Sequence, residues 1–218
     1  MNLVFLGAPG VGKGTQADKL AVQSGMKKIS TGDLLREAVR KGTELGREAK
    51  SYMDQGRLVP DSVVIGLVRE TLAGSREGNG FILDGFPRTV PQAQALEQVL
   101  DEQGIRLDRV INFRASRDEI VKRLGGRRSC PTCQATFHLE FSPSQRGDLC
   151  DRCGGKLVQR NDDRQEAIET RLKVYDEQTA PLISFYEKKN MLSHLDSVGP
   201  IETVYENLTK VLAARNSA

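Results

Sequence analysis

The chain has 218 residues, of which 38% are hydrophobic and 28% charged, and its formal net charge is +3. This length suits one main domain with small insertions, and the mild positive charge suits small anionic ligands without requiring nucleic acid. No apolar run approaches the roughly 20 residues that would span a bilayer, and because the chain opens on a predicted strand we expect neither a signal nor a transit peptide.

A glycine-rich loop follows the first predicted strand. Residues 3–6 (Leu-Val-Phe-Leu) form an apolar run typical of a buried strand, and residues 16–22 have the spacing of an amphipathic helix. Residues 7–15 between them read Gly-Ala-Pro-Gly-Val-Gly-Lys-Gly-Thr, which in this context predicts a phosphate-binding loop. Backbone N–H groups, the helix N-terminus and Lys13 would together face an anion. The general motif has a metal-binding Ser or Thr directly after the lysine. This chain has Gly14 there, and its hydroxyl comes one residue later, at Thr15.

The second predicted strand leads into a helical excursion. Residues 27–29 form the short strand, and polar residues then cap a helix that continues over 34–39. A second helix is predicted over 44–55, and the next helix begins at Pro60. Residues 30–59 are therefore expected to form a movable flap outside the core.

Strands and helices alternate along the rest of the chain. The further predicted strands cover 81–84, 109–113 and 192–196, and the further helices cover 91–103, a helix after Ser116 that carries Arg123 and Arg127, 163–177, and a closing helix from Pro200. This alternation predicts an α/β fold: a P-loop, doubly wound, five-stranded parallel sheet flanked by helices. Ligands bind beyond the carboxyl ends of such strands, where Gly7, Ser30 and Asp84 would lie.

Four cysteines form two Cys-x2-Cys pairs, Cys130 with Cys133 and Cys150 with Cys153. This spacing predicts a four-thiolate tetrahedral zinc site, which would be structural because no coordination position is left for a substrate. The spacing does not distinguish zinc from iron. Reduced thiols without metal and two disulfides are the alternatives.

Together these features resemble bacterial long-form adenylate kinases with a zinc-binding lid. The most specific matches are residues 7–15, Thr31-Gly32-Asp33, Arg57-Leu58-Val59, 84–88 and 160–164. The resemblance covers essentially the whole chain. It implies reversible, Mg²⁺-dependent phosphoryl transfer from ATP to AMP, giving two ADP, and a structural Zn²⁺. It also implies a core domain (1–29, 60–125 and 164–218), an AMP-binding flap (30–59) and a zinc-binding lid (126–163) whose closure excludes water.

The resemblance further implies roles for individual residues. The catalytic residues would be Lys13, Arg88, Arg123, Arg160 and Arg171. ATP would contact Gly10, Val11, Gly12, Lys13, Gly14, Thr15, Arg123, Arg127, Thr136, Phe137 and Gly199. AMP would contact Thr31, Arg36, Arg57, Leu58, Val59, Gly85, Phe86, Pro87, Arg88, Gln92, Arg160 and Arg171. Asp84, with Asp33, would orient magnesium through its waters.

The expected chemistry depends on positioned positive charge, because a phosphate oxygen is already ionised at neutral pH and needs no strong base. His138 and His194 are accordingly interpreted as structural or exposed. Two alternatives remain at this stage. One is a kinase for another nucleoside monophosphate or with GTP as donor, and the other is a nucleotide switch whose zinc knuckles bind nucleic acid. We expect a cytoplasmic monomer that binds neither nucleic acid nor membrane.

Overall fold

The computed structural model describes residues 1–73 and 78–214. Its strands are β1 (Leu3–Leu6), β2 (Lys27–Ser30), β3 (Phe81–Asp84), β4 (Arg109–Arg114), β5 (Arg127–Ser129), β6 (Thr136–His138) and β7 (Leu192–Asp196). Its α-helices are α1 (Lys13–Ser24), α2 (Thr31–Lys41), α3 (Glu44–Asp54), α4 (Asp61–Ala73), α5 (Val90–Glu102), α6 (Arg117–Gly126), α7 (Gln165–Val174), α8 (Pro181–Glu187) and α9 (Ile201–Ala213). A 3-10 turn covers Asn161–Asp163 and a π-helical segment covers Tyr175–Thr179.

The main sheet has five parallel strands in the order β2-β3-β1-β4-β7, which confirms the predicted doubly wound α/β fold. In the register of the central strands, Phe5 lies beside Asp84 and Asp84 beside Ser30. The carboxyl ends of β1, β2 and β3 therefore meet at one edge, from which the glycine loop and α2 both start.

Both faces of the sheet are covered by helices. Alternate residues of a strand point to opposite faces, so Val4 packs in a cluster with α4, α5 and α8, whereas Phe5 packs in a second cluster with α1 and α9. Each fully buried side chain of this size stabilises the fold by about 1.5–3 kcal/mol. The two clusters hold the carboxyl edge of the sheet as a rigid platform.

Two predicted helix bounds are wrong. The helix predicted over 163–177 begins only at Gln165, because the side chain of Asp163 is buried against arginines, and it changes to a π-helical segment after Val174. The helix that follows Ser116 ends at Gly126, so Arg127 begins β5 and does not share a helical face with Arg123.

The segment that carries the cysteines folds apart from the main sheet. Strands β5 and β6 pair antiparallel, and Ser129 bridges to Val158 on the returning chain. Within the described residues, no helix is both long and apolar enough to cross a membrane.

Candidate active site

The glycine loop at the end of β1 has a backbone that side chains would not allow. Gly7 has φ +134°, and a Cβ on it would lie 2.5 Å from the carbonyl oxygen of Phe113. Gly12 has φ +108° and caps α1 without a side-chain hydrogen bond. The first amides of α1 are therefore left to an anion at the helix N-terminus.

The side chain of Lys13 folds back onto the start of this loop. Its Nζ donates to the carbonyl oxygens of Gly7, at 2.6 Å, and of Ala8, at 2.8 Å. Burial lowers the pKa of Lys13 to about 8; Asp84 opposes this shift, and the nearby guanidinium groups of Arg88 and Arg171 add to it. The ammonium is thus held inside a strongly charged site.

A cavity of about 1080 Å³ opens at the carboxyl edge of the sheet, and a smaller one of about 70 Å³ shares several walls with it. The predicted nucleotide-site residues that line the larger cavity are Gly10, Val11, Gly12, Lys13, Gly14, Thr15, Asp33, Arg36, Leu58, Asp84, Gly85, Pro87, Arg88, Arg123, Arg127, Thr136, Phe137, Arg160, Arg171 and Gly199. Those that line the smaller cavity include Thr31, Arg57, Val59 and Gln92. The chain therefore brings nearly all predicted nucleotide contacts to one place.

Phe86 is the exception among the predicted nucleotide-site residues. Its side chain is 1% exposed and packs in the core, so it lines neither cavity. A large apolar ring is stabilised by burial, and here it anchors the loop between Gly85 and Arg88 from below.

Arg88 is held in place through its backbone and its Nε. Its Nε donates to the Gly85 carbonyl at 2.9 Å, and its backbone N–H donates to Oε1 of Gln92 at 2.8 Å. The hydroxyl of Thr179 donates to the Arg88 carbonyl at 2.8 Å. Burial lowers the pKa of Arg88, with Asp84 opposing that shift. Thr179, in the π-helical segment, is a positioning residue that the sequence reasoning missed.

Gln92 is oriented by a second residue that the sequence reasoning missed. Its Nε2 donates to Oδ1 of Asp61 at 2.6 Å, while the other carboxylate oxygen of Asp61 accepts from the Thr89 hydroxyl at 2.9 Å. Asp61 is the first residue of α4, where a carboxylate is usually attributed to helix capping.

Arg127 and Arg171 are held by an acidic pair that sequence reasoning did not assign. Arg127 Nε donates to Asp163 at 2.7 Å, and Arg171 Nη1 donates to Asp163 at 3.0 Å and lies 3.1 Å from a carboxylate oxygen of Asp162. The Asp163 side chain is 0% exposed. The sequence signal that could have identified this pair is two adjacent acidic residues between Arg160 and Arg164.

Arg123 and Arg160 make different contacts. Arg123 donates to the carbonyl oxygens of Val11, at 3.0 Å, and Ser197, at 2.9 Å, so it braces the glycine loop. Arg160 donates to the hydroxyl of Ser129 at 2.7 Å. Burial, followed by Arg36 and Arg127, lowers the pKa of Arg160 to about 9. Both guanidinium groups lie on the cavity wall.

The four cysteine sulfurs form a cluster in which all Sγ atoms lie within 4.8 Å of one another. The Sγ atoms of Cys130 and Cys153 are 3.4 Å apart and those of Cys133 and Cys150 are 3.5 Å apart. These separations exceed the about 2.05 Å of a disulfide. Four converging thiols are the donor set of a closed tetrahedral zinc site, so the residues present fit a structural Zn²⁺.

Comparisons with known proteins agree with this geometry. A family model described as adenylate kinase matches residues 5–191. The chain is 50% identical over 212 residues to an adenylate kinase of Archaeoglobus fulgidus, covering 97% of the chain and 98% of that protein. It is 51% identical over 214 residues to an adenylate kinase of Citrifermentans bemidjiense, covering 98% and 100% respectively. It is 49% identical over 216 residues to one from Bacillus licheniformis, covering 99% and 100%.

Proposed function

The chain belongs to the adenylate kinase family, and from this premise we propose how its residues divide the work of phosphoryl transfer. The reaction is the reversible transfer of the terminal phosphoryl group of MgATP to AMP, giving two ADP. The observation that carries the assignment of roles is the convergence of one lysine and several arginines on a single cavity at the carboxyl edge of the sheet.

On the donor side, the loop of residues 10–15 binds the phosphates of ATP through the amides at the start of α1. Lys13 leaves the Gly7 and Ala8 carbonyls to pair with a phosphate oxygen. Arg123 and Arg127 bind the same phosphates from the hinge between α6 and β5. Thr136, Phe137 and Gly199 contact the nucleoside from the far wall of the cavity.

On the acceptor side, AMP binds where the smaller cavity shares its walls with the larger one, because the smaller cavity alone, of about 70 Å³, is too small for a nucleotide. Arg36 and Arg88 bind its phosphate, and Gln92, oriented by Asp61, contacts its base. The remaining contacts come from Thr31, Arg57, Leu58, Val59, the loop from Gly85 to Pro87, Arg160 and Arg171. Phe86 contributes only by holding that loop, since its ring is in the core.

The transfer itself needs alignment and charge more than proton abstraction. Arg88, Arg160 and Arg171 neutralise the charge that spreads over the transferring group. Their planar guanidinium groups also hold the phosphates so that the attacking and leaving oxygens lie in line. His138 lies outside this task, because its Nδ1 accepts from the backbone N–H groups of Glu140 and Phe141, both at 3.0 Å. Asp84 and Asp33, which line the cavity, would orient the waters of a magnesium ion bound with ATP, and that ion would supply further charge neutralisation.

Water is excluded by a flap (residues 30–59) and a lid (126–163) that close over a core formed by 1–29, 60–125 and 164–218. Contacts between the two moving parts support this proposal. Arg40 of α2 donates to the Thr132 carbonyl at 3.3 Å, and Asn161 donates to Asp54 of α3 at 3.3 Å. Closure of this kind keeps water away from the terminal phosphate of ATP, so that AMP and not water receives the phosphoryl group.

A structural Zn²⁺ held by Cys130, Cys133, Cys150 and Cys153 stabilises the lid, whose polar sequence buries only a small apolar cluster around those sulfurs. Four thiols that converge as metal ligands suit a reducing compartment. We accordingly place the enzyme in the cytoplasm as a monomer whose ligands are ATP, AMP and ADP, and not nucleic acid or membrane. Gel filtration with light scattering tests the monomer directly.

The deciding experiment follows ATP and ADP in the presence of Mg²⁺, with each common nucleoside monophosphate supplied in turn. We expect rapid formation of two ADP per ATP only when AMP is present. Steady loss of ATP that ignores AMP would contradict the lid and flap proposal. An equal rate with another monophosphate would contradict the proposed role of Gln92 in reading the base.

A further inference from the structure

A lysine ammonium lies among the carboxylates at the carboxyl edge of the sheet. Lys28, on β2, places its Nζ 2.8 Å from a carboxylate oxygen of Asp18 and 3.7 Å from one of Asp33. Its side chain is only 17% exposed, and it lines the larger cavity. Arg36 pairs with the other carboxylate oxygen of Asp33, so Lys28 and Arg36 flank that carboxylate from two sides.

Lys28 and Asp84 lie on either side of Gly14 in the phosphate-binding loop. A Cβ built on Gly14 would lie 3.3 Å from Oδ2 of Asp84 and 3.9 Å from Nζ of Lys28. The ammonium and the carboxylate thus flank the same point beside the phosphate-binding loop. Lys28 therefore lies at the centre of a group formed by Asp18, Asp33 and Asp84.

We propose that Lys28 is a positioning residue that keeps a fixed positive charge beside Asp33 and Asp84 and thereby reduces the dependence of nucleotide binding on Mg²⁺. This inference rests on the proposed function, in which those two carboxylates orient the waters of magnesium. The lysine neutralises the carboxylates when the divalent ion is absent. It also repels the ion when it arrives with ATP.

Both effects of the ammonium lower the ratio of the Kd of metal-free ATP to the Kd of its Mg²⁺ complex. Without Mg²⁺, the positive charge attracts the triphosphate and screens it from the carboxylates, so metal-free ATP binds more tightly. With Mg²⁺, the ammonium still attracts the triphosphate but also repels the metal, so the metal complex gains less from the lysine than metal-free ATP does. Removing the charge should therefore increase the ratio of the metal-free Kd to the metal-bound Kd, whichever effect is larger.

The test measures binding and not turnover. Titration calorimetry with a β,γ-imido analogue of ATP, without AMP, gives the Kd in excess Mg²⁺ and again in Mg²⁺-free buffer without chelator, so that the zinc site stays loaded. We expect Lys28→Gln to raise the ratio of metal-free to metal-bound Kd by roughly tenfold over the unaltered protein. Lys28→Arg, which keeps the charge, should leave the ratio within about twofold.

Lys27→Gln is the matched control, because Lys27 is an exposed neighbour on the same strand and the substitution removes the same charge. An unchanged ratio in a folded Lys28→Gln protein would overturn the inference, as would an equal loss of both affinities, which would make Lys28 an ordinary phosphate ligand. If Lys28→Gln does not fold, an altered ratio in Lys28→Arg overturns it and a preserved ratio supports it. Failure of the unaltered protein to bind the analogue would contradict the proposed function instead.

Discussion

Arg127 presents two of its guanidinium nitrogens to the two carboxylate oxygens of Asp163. The carboxylate is fully buried, and it also accepts from Arg171. A residue of the 3-10 turn before α7 thus holds together a phosphate-binding arginine of β5 and a second arginine of α7. The geometry of two proposed phosphate ligands depends on one acidic side chain that need not touch a nucleotide.

Replacement of that carboxylate should be costly to stability. In Asp163→Asn, Arg127 loses its buried counter-charge and Arg171 keeps only Asp162, so we expect the free energy of unfolding to fall by about 3 kcal/mol. Chemical denaturation of the zinc-loaded protein measures it. Glu169→Gln, an exposed carboxylate on α7, should change stability by less than about 0.5 kcal/mol. Equal stability of the two variants would contradict the structural role of Asp163.

The neighbouring carboxylate should make stability depend on acid pH. Burial raises the pKa of Asp162, but Arg171, Arg127 and Arg160 lower it further, so its net pKa lies below the ordinary 3.8. A depressed pKa in the folded state contributes stability that is present above the unfolded pKa and lost as pH falls through the folded value. Asp162→Asn should therefore be less stable than the unaltered protein at pH 6, and this difference should shrink below about pH 3.8. A difference that stays constant on acidification would contradict the assignment.

Nucleotide binding should take up a proton near pH 8. Lys13 has a pKa of about 8 in the nucleotide-free protein, chiefly through burial, so above this pH its amine is largely neutral. An added phosphate would favour the ammonium, and affinity for ATP should fall as pH rises through 8. Calorimetry in buffers of different ionisation enthalpy measures the proton uptake at pH 8. Lys13→Met should lose this proton uptake and about 10²–10³-fold in kcat.

The thiol cluster should stabilise the lid only when it holds metal. Cys150 is fully buried, and Cys150→Ser removes one of four ligands, so we expect less than one zinc per chain by atomic emission and a melting transition lowered by several degrees. Ser144→Ala, in the same segment but outside the cluster, should keep one zinc per chain. Full zinc occupancy in Cys150→Ser would contradict a four-thiolate site.

The acceptor phosphate should require a forked cation at position 88. In Arg88→Lys the charge stays, but the paired hydrogen bonds and the Nε contact with Gly85 are lost. We expect kcat/KM for AMP to fall by roughly 10²-fold, with a much smaller change in KM for ATP. Arg69→Lys, on the exposed face of α4, should leave both constants unchanged. A comparable loss for both nucleotides would contradict an acceptor-specific role.

The sheet and its phosphate-binding loop could be predicted because their signals are local. Buried parallel strands give apolar runs such as Phe81 to Leu83, and a glycine that must adopt positive φ, such as Gly12, stands out in the sequence. The starts of α2 and α6 are predicted from local capping residues, and the side chains of Ser30 and Ser116 do cap these helices. The bounds near residue 163 were wrong because tertiary ion pairs, and not helix propensity, decide where α7 begins.

Asp61, Asp163, Thr179 and Lys28 were not predicted to be part of the site for a shared reason. In sequence each is a single polar residue outside any recognised motif of the site, and most such residues lie on a solvated surface. Their importance arises from partners far away in the chain, as between Asp61 and Gln92 or Thr179 and Arg88. The main arginines were found by resemblance, whereas the residues that hold them in place require the fold.

The π-helical segment from Tyr175 to Thr179 limits how this part of the chain can change in length. Each residue of an α-helix turns the side chains that follow by about 100°. The segment holds one residue more than an α-helical turn, since the Ala180 N–H donates to the Tyr175 carbonyl five residues back. Deleting one residue should close it into α-helix and keep Leu182 and Tyr186, both 0% exposed, towards the core, although Thr179 at Arg88 would be displaced. Inserting a residue should turn those two side chains away from the core, so this position should tolerate a deletion better than an insertion.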